Sequence, residues 1–366
     1  MSGPEQSGMN ESLPRVEQHV LIHSKCDSYR VEKKLGEGSF GKVVRCRKLD
    51  TEEIRAIKIL KPKPNAGKAE IKALKAMRKL DADKNNLIKF YEGFNYKGHT
   101  CLVFEYLNES LFDFFVHRKL FPLHVSEIRV IAQQLLVALD ALKSIGLVHC
   151  DIKPDNIMLV NHESQPFKVK LIDFGNAMKT STLEMVKRIQ ALGYRAPEVV
   201  LGLPLDEAVD TWSLGCVLAL VFIGRHMYPV LSEYEFIRVI TQLHGLPEDE
   251  VLRRGSNVDT FFTLTEDSGW TLNTKKEYKR LTGNAAFMSL LKRMLHVNPA
   301  KRITPRQALG HPIISCIVLI FLCPFYVQLL PALLNFPLNS VHAPSFSLFF
   351  PLLLAFSSTF YYENNI

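Results

Sequence analysis

The sequence reads HCDIKPDN at His149–Asn156, and DFG follows at Asp173–Gly175, directly after the strand-like run Val169–Ile172. The first motif comes at the end of a helix-patterned segment, so its polar side chains are expected on a loop between regular elements. Together the two motifs supply carboxylate and amide oxygens for a metal ion, a cation for a phosphate and a carboxylate for a hydroxyl group. Phosphoryl transfer requires these groups.

A glycine-rich loop lies upstream, at Leu35–Val43 (LGEGSFGKV), between two predicted strands. Glycines without β-carbons let the backbone approach phosphates and donate N–H groups to them. The strand–loop–strand context disfavours a dinucleotide-binding fold, in which a helix follows the loop. Taken alone, the glycines would also fit an ordinary hairpin.

A lysine follows in an apolar strand, at Lys58 in Ala56-Ile57-Lys58. A cation in such a strand needs an anionic partner, and Glu70 on the next predicted helix can supply it. Taken alone, the two residues would also fit a surface lysine and a solvated glutamate. Their separation of 12 residues is short, which tightens the intervening loop.

The bulk composition is that of a globular protein in a reducing compartment. The 366 residues are 47% hydrophobic, and the formal net charge of +8 suits an anionic partner without choosing among nucleotide, acidic peptide, nucleic acid and membrane. The seven cysteines are scattered, with no close pair of the kind that metal sites or disulfides use. The N-terminal segment has charges and no apolar run, so no cleavable signal peptide is expected.

The first part of the chain is predicted to be rich in strands. Residues 1–28 are polar and predict a flexible lead-in, with order beginning near Tyr29. One helix is predicted at about Lys68–Leu80, where apolar residues recur at three-residue spacing. Apolar and β-branched runs predict strands at Lys42–Cys46, Arg55–Leu60 and Thr100–Phe104.

The pattern becomes helical after Leu107. The nearly uncharged segment Trp212–Phe222 predicts a buried helix. Another helix is predicted from an apolar stripe formed by Ile128, Ile131, Leu135, Leu139 and Leu142. A strand-rich first lobe followed by a mainly α-helical second lobe results, which is an α+β fold.

Two further motifs, APE at Ala196–Glu198 and DTWSLG at Asp210–Gly215, complete an ordered series. With them the chain resembles the eukaryotic protein kinase family over about Tyr29–Ile313. The resemblance implies a two-lobed protein kinase fold within residues 29–313. Its small antiparallel β-sheet lobe with one helix would be residues 29–107, and its larger, mainly α-helical lobe residues 108–313.

The resemblance also implies a role for each motif residue. Asp151 would orient the substrate hydroxyl or take its proton, Lys153 would stabilise the transferred phosphate, and Asn156 and Asp173 would hold Mg²⁺. ATP would bind to the glycine loop, the lysine–glutamate pair, the walls of the adenine pocket and the hinge, namely Leu35, Gly36, Gly38, Gly41, Val43, Ala56, Lys58, Glu70, Phe104, Glu105 and Leu107.

Two structural roles follow from the same resemblance. Glu198 is expected to pair with Arg302, and Asp210 is expected to anchor the backbone of the catalytic loop.

A closer similarity is to the homeodomain-interacting protein kinases, with the dual-specificity tyrosine-regulated kinases as the neighbouring group. It rests on Asn161–Gly175, Val199–Pro204 with Asp206–Val209, Ser232–Gly245 and Lys301–Pro305. The similarity implies phosphorylation of serine or threonine in protein substrates, with transcription regulators as partners, and a location in the nucleus or cytoplasm. No direct binding of nucleic acid is expected. Substrate consensus and oligomeric state stay open.

The chain departs from these relatives between Asp173 and Glu198. Arg188 stands where they carry a tyrosine that they phosphorylate on themselves, and Leu192 replaces an arginine that helps to shape the substrate pocket. Cys150 replaces the arginine that many kinases use to hold a phosphate, a departure common in this branch of the family. We therefore expect packing, and not phosphorylation, to order this loop.

The C-terminal tail, residues 314–366, is apolar, and the stretch Gln307–Tyr362 contains no Lys, Arg, Asp or Glu. Prolines interrupt every run, so none reaches the roughly 20 apolar residues that a spanning helix prefers. A membrane anchor is one interpretation, and translated intron sequence is the favoured one. We expect the tail to be dispensable for catalysis.

Two alternatives come from other functional classes. A catalytically silent kinase-fold scaffold predicts loss of Lys58, Asp151, Asn156 or Asp173, and all four are present. A membrane-tethered signalling kinase would use residues 314–366 as its anchor, but prolines interrupt the apolar runs of this segment and Glu363 is its one charged residue.

Overall fold

A computed structural model of the chain describes residues 18–38, 41–61, 67–186, 188–267 and 269–278. Within them, the first lobe is an antiparallel sheet of six strands in the order β1-β2-β3-β4-β6-β5, with helix α1 inserted between β4 and β5. The elements are β1 (Leu21–His23), β2 (Ser28–Glu37), β3 (Gly41–Lys48), β4 (Ile54–Leu60), α1 (Lys68–Met77), β5 (Phe90–Tyr96) and β6 (His99–Glu105). The predicted sheet lobe with one helix is confirmed.

Strand β1 corrects the prediction of a flexible lead-in over residues 1–28. Leu21–His23 pairs antiparallel with Ser28–Arg30, and Ile22 is fully buried beside Tyr29 and Val31. The prediction is therefore wrong for residues 18–28, and residues 1–17 lie outside the described part. The strand is too short to show an alternating pattern, and only its register against β2 reveals it.

Helix α1 ends at Met77, before the predicted limit of Leu80. The N–H groups of Arg78, Lys79 and Leu80 bond three residues back instead of four, which tightens the chain into a turn. The buried face of the helix consists of Glu70, Ala73, Leu74 and Met77.

The second lobe is mainly helical, as predicted. Its helices within the described residues are α2 (Leu111–His117), α3 (Val125–Ser144), α4 (Pro197–Leu201), α5 (Ala208–Ile223), α6 (Glu233–His244), α7 (Asp249–Arg254) and α8 (Val258–Phe261). Helix α5 extends beyond the predicted Trp212–Phe222 at both ends. In the predicted α3 stripe, Ile131, Leu135 and Leu142 are buried, while Ile128 and Leu139 pack against the core from its edge.

Short strands frame the loops that carry the motifs. Strand β8 ends directly before His149, β9 begins directly after Asn156, and β10 ends just before the DFG motif. These strands, with the hairpin β12–β13, are β7 (Glu109–Ser110), β8 (Leu147–Val148), β9 (Ile157–Leu159), β10 (Val169–Leu171), β11 (Met178–Lys179), β12 (Phe262–Thr265) and β13 (Gly269–Leu272). Strands β7, β9 and β10 form one small sheet, and β8 pairs with β11.

One hydrophobic core connects the two lobes. It extends from Leu74 and Met77 on α1 through Phe174 to Leu214 and Val217 on α5. None of the described helices is long and apolar enough to cross a membrane. The expected pairing of Glu198 with Arg302, and the predictions for residues 314–366, fall outside the described residues.

Candidate active site

The glycine loop is a hairpin between β2 and β3. Gly38 N–H donates to the carbonyl oxygen of Gly41 at 2.9 Å, which closes the turn. A side chain at Gly41 would collide with the carbonyl oxygen of Ile59, so this position requires glycine. The same hairpin carries Leu35, Gly36 and Gly38. The space next to the α-carbons of the two glycines, Gly36 and Gly38, is open. An open hairpin with so little side-chain bulk lets a ligand reach its backbone.

The residues predicted for the adenine pocket lie around strand β4. Ala56 pairs with Phe104, and because Ala56 and Lys58 are two residues apart in β4 they share a face of the sheet. Val43 is opposite Lys58 on β3. The Phe104 ring packs at 5.6 Å from the Phe90 ring. The hinge, Glu105–Leu107, then leads from β6 into the second lobe.

Lys58 connects two other predicted site residues, Glu70 and Asp173, through its amine. Its Nζ lies 2.8 Å from Glu70 Oε1, 3.0 Å from Glu70 Oε2 and 2.7 Å from Asp173 Oδ1. The predicted Lys58–Glu70 pair is therefore present despite the short loop between them. It joins α1 to the sheet, and Asp173 joins both to the second lobe.

Lys58 stabilises the negative charge of both carboxylates, while the two carboxylates oppose each other. Burial alone would lower the pKa of Lys58, but the two carboxylates outweigh it and hold the pKa above its usual value. Burial would likewise raise the pKa of Asp173, but Lys58 and the Gly175 N–H hold it below its usual value. Glu70 is more deeply buried, and burial raises its pKa even though Lys58 opposes the shift. Lys58 and Asp173 thus stay ionised near neutral pH.

The catalytic loop gathers a second group of polar side chains around Asp151. Asp151 Oδ2 lies 3.1 Å from Lys153 Nζ, and it accepts hydrogen bonds from the Asn156 amide at 3.1 Å and from the Asn176 amide at 3.3 Å. Asn156 also donates to the Asp151 carbonyl oxygen at 2.8 Å. Asn176 was not predicted. It follows the DFG motif directly, so the segment that carries Asp173 also orients Asp151.

The donor set fits a magnesium ion. The Asn156 amide nitrogen is bonded to Asp151, so its amide oxygen is the atom left for a metal, and Asp173 adds a carboxylate. Among the described residues, no group of three or more His, Cys, Asp or Glu side chains could hold a metal ion alone. Proteins often bind magnesium through one or two carboxylates together with phosphate oxygens of a substrate, and Asp173 and Asn156 are donors of the kind this requires.

Asp210 anchors the catalytic loop, as predicted. Its carboxylate accepts hydrogen bonds from the backbone N–H groups of His149 at 2.6 Å and Cys150 at 2.9 Å, and it is 3% exposed. His149 Nε2 lies 2.9 Å from the carbonyl oxygen of Ile172. The anchor on α5 therefore fixes the loop beside the DFG motif.

Replacing Asp210 by alanine is expected to reduce the free energy of unfolding by about 3 kcal/mol, because two buried N–H groups would lose a charged acceptor. Urea denaturation of the variant would measure this loss. Asp206→Ala is the matched control: Asp206 precedes the same helix and accepts one exposed hydrogen bond, from Ala208 N–H, so a loss of about 1 kcal/mol or less is expected. Equal losses for the two variants would contradict the anchoring role.

Packing orders the activation segment, residues 173–198, at the position of Cys150. One buried cluster contains Cys150, Leu183 and Ile189. The Cys150 thiol thus packs against two aliphatic side chains, and this position has no arginine that could bind a phosphate. Gln190 adds polar contacts that join the segment to α5. Its amide nitrogen donates to Val209 O at 2.7 Å and Ser213 Oγ at 2.8 Å, and its amide oxygen accepts from Ala196 N–H at 3.0 Å.

An ion pair, which was not predicted, also holds the segment. Arg195 Nη1 lies 2.6 Å from Glu233 Oε1, and Arg188 Nη2 lies 3.2 Å from the same oxygen. The buried Arg195 guanidinium also donates to the carbonyl oxygens of Ile189 and Gln190. Glu233 thus supplies a permanent negative charge to this part of the loop.

Activity is expected not to require tyrosine phosphorylation of the activation segment. Tyr194 is its only tyrosine and is 7% exposed, and Glu233 already pairs with the two nearby arginines, Arg188 and Arg195. Treatment with a tyrosine phosphatase should leave the rate of peptide phosphorylation unchanged, while a phosphotyrosine peptide added to the same sample is dephosphorylated. The expectation would be contradicted if phosphate were lost from Tyr194 and the rate fell about tenfold, which corresponds to a barrier higher by about 1.4 kcal/mol.

The fold and the motifs agree with what is found among known proteins. The protein kinase domain family matches residues 29–314, so the chain belongs to the protein kinase family. Homeodomain-interacting protein kinase 2 of Mesocricetus auratus is 40% identical over 353 residues, which cover 84% of this chain and 30% of the relative.

Two other relatives carry the same family name. Homeodomain-interacting protein kinase 1 of Caenorhabditis elegans is 38% identical, with coverage of 80% of this chain and 41% of the relative. Homeodomain-interacting protein kinase 4 of Homo sapiens is 35% identical, with coverage of 80% and 56%. The chain thus spans between about a third and just over half of the length of these relatives.

Proposed function

We propose that this chain transfers the γ-phosphoryl group of ATP to serine or threonine hydroxyls of proteins, as a kinase of the homeodomain-interacting type. The arrangement of Lys58 carries the proposal: one amine lies within 3.0 Å of both Glu70 and Asp173, and the DFG segment links it to Asp151. A silent scaffold would not need this arrangement, and no observation favours that alternative.

The ATP site is formed by the hairpin, the β4 face and the hinge. Lys58 would bind the α- and β-phosphates, and backbone groups of the hinge Glu105–Leu107 would bind adenine. Val43 and Ala56 would pack on the purine, with Phe104 at the inner end of the pocket. The remaining contributors are the hairpin residues Leu35, Gly36, Gly38 and Gly41, and Glu70, which orients Lys58.

Asp151 and Lys153 would act on the reacting groups. Asp151 orients the acceptor hydroxyl and takes its proton as the oxygen attacks the γ-phosphorus, while the bond to the β-phosphate oxygen breaks and ADP leaves. Lys153, 3.1 Å from Asp151, balances negative charge on the transferred group. Asn156 and Asp173 would hold Mg²⁺, which when bound neutralises charge on the phosphates.

Protein substrates in the nucleus or cytoplasm would be the partners. The relatives are named for interaction with homeodomain proteins, which makes transcription regulators of that type the first substrates to test. The acceptor would be a hydroxyl on a protein, so direct recognition of nucleic acid by the chain is not part of the proposal.

A transfer assay tests the proposed function. The full chain would be incubated with γ-labelled ATP, Mg²⁺ and a degenerate peptide library, and the labelled amino acids would be identified. We expect label on serine and threonine and none when Mg²⁺ is chelated. Labelling of tyrosine alone, or the same labelling with Asp151→Asn, would overturn the proposal.

A further inference from the structure

Lys170 is a buried cation outside the set of catalytic residues. Its side chain is 2% exposed, and its Nζ lies 2.5 Å from Asp83 Oδ1 and 2.6 Å from Glu105 Oε1. Burial alone would lower the pKa of Lys170, but hydrogen bonds to the two carboxylates outweigh it and raise the pKa. A buried charge of this kind needs these partners, whereas an apolar side chain would fill the same space without them.

The two carboxylates bonded to Lys170, those of Asp83 and Glu105, differ in their exposure and in the part of the fold to which they belong. The Asp83 side chain is 68% exposed, on the loop between α1 and β5, so water screens its contribution. The Glu105 side chain is 18% exposed and belongs to the first residue of the hinge. Glu105 Oε1 also accepts a hydrogen bond from Lys89 N–H at 2.7 Å. Of the two contacts, the one with Glu105 is less screened by water, and it connects Lys170 to the hinge.

The backbone that carries Lys170 leads to the metal-binding end of the site. Lys170 lies in β10, and Asp173 follows it closely in the chain. The next residue, Leu171, donates to Asn86 O at 2.9 Å and accepts from Ile88 N–H at 3.0 Å, which fixes β10 against the loop after α1. One side chain thus joins the hinge to the strand that presents Asp173.

We propose that Lys170 is a positioning residue that holds the hinge, through the Glu105 carboxylate, at a fixed distance from Asp173. The proposal rests on the proposed function, because it assigns the hinge to the adenine and Asp173 to the phosphates of ATP. The Lys170–Glu105 pair then sets the spacing between the two ends of the nucleotide site. Lys170 contacts the hinge through the Glu105 carboxylate, and its link to Asp173 runs through the backbone that follows β10.

Lys170→Met in the full chain tests the proposal, because methionine keeps an unbranched side chain of similar bulk and removes the charge. Adenosine and magnesium tripolyphosphate, which represent the two ends of ATP, would be measured by calorimetry alongside the kinetics. We expect adenosine binding to weaken about tenfold, equivalent to 1.4 kcal/mol, and KM for ATP to rise by a similar factor. Tripolyphosphate binding should stay within about twofold.

Lys168→Met is the matched control. Lys168 directly precedes β10 and bonds an uncharged group, Asn86 Oδ1, at 2.7 Å, so its loss should change adenosine binding by less than about twofold. Glu105→Gln is a second variant that keeps the size and an acceptor for Lys89 N–H, and it guards against misfolding of Lys170→Met. It should reproduce the loss of adenosine binding, and the double variant should add little further loss.

Two results would overturn the proposal. One is normal adenosine binding in folded Lys170→Met and Glu105→Gln; the other is equal loss of adenosine and tripolyphosphate binding, which a general loss of stability would cause. These binding measurements do not depend on phosphoryl transfer. Failure of the wild-type chain to phosphorylate peptides would thus count against the proposed function, and the binding measurements would still test the positioning role of Lys170.

Discussion

Asp151→Asn is expected to reduce kcat by about 10² to 10⁴-fold, the usual contribution of a positioned general base. Asparagine keeps the size of the side chain and an oxygen for the hydrogen bonds from Asn156 and Asn176, so the loop should keep its conformation. Steady-state phosphorylation of a peptide, with KM for ATP and thermal unfolding measured in parallel, checks the result. We expect KM and the unfolding temperature to stay near their wild-type values.

A rate within a few-fold of wild type would remove Asp151 from the proposed mechanism. A large loss of rate with an equally large loss of stability would also count against it, because the loss would then report unfolding.

Asp173→Ala is expected to reduce kcat by about 10² to 10³-fold, which is typical when one group that stabilises developing charge is removed. The change removes a magnesium ligand and one of the two carboxylates bonded to Lys58, while the Lys58–Glu70 pair remains. Nucleotide binding should accordingly lose its dependence on Mg²⁺. Calorimetric titration of ATP with and without Mg²⁺ measures this directly.

Asp249→Ala provides the control for Asp173→Ala. Asp249 also pairs with a cation, Arg253, but both side chains are exposed, so its loss should leave activity and Mg²⁺-dependent binding unchanged. If Asp173→Ala retained Mg²⁺-dependent binding of ATP at wild-type affinity, the assignment of Asp173 to the metal would be wrong.

The motif residues could be predicted from the sequence because their chemistry is local. Asp151, Lys153 and Asn156 share one short loop, and the spacing of loop and strands fixes where they lie. The partner of Lys58 was predictable for a different reason. A lysine in an apolar strand needs a negatively charged partner, and Glu70 lies on the buried face of the next helix.

The interactions that could not be predicted join residues far apart in the chain. Lys170 and Glu105 are 65 residues apart, and Arg195 and Glu233 are 38 residues apart, so no periodicity or spacing marks either pair. Strand β1 was missed for a related reason, because its identity depends on pairing with β2 and not on its own three residues. Long-range register and ion pairing are properties of the folded chain.

The contact of Glu233 with Arg195 and Arg188 has a consequence for how such a kinase would be controlled. A phosphate on a loop can be added and erased, whereas a glutamate is present in every copy from the moment of synthesis. A phosphatase cannot undo this contact, while the exposed Ser181 and Thr182 of the same segment still offer hydroxyl groups for modification.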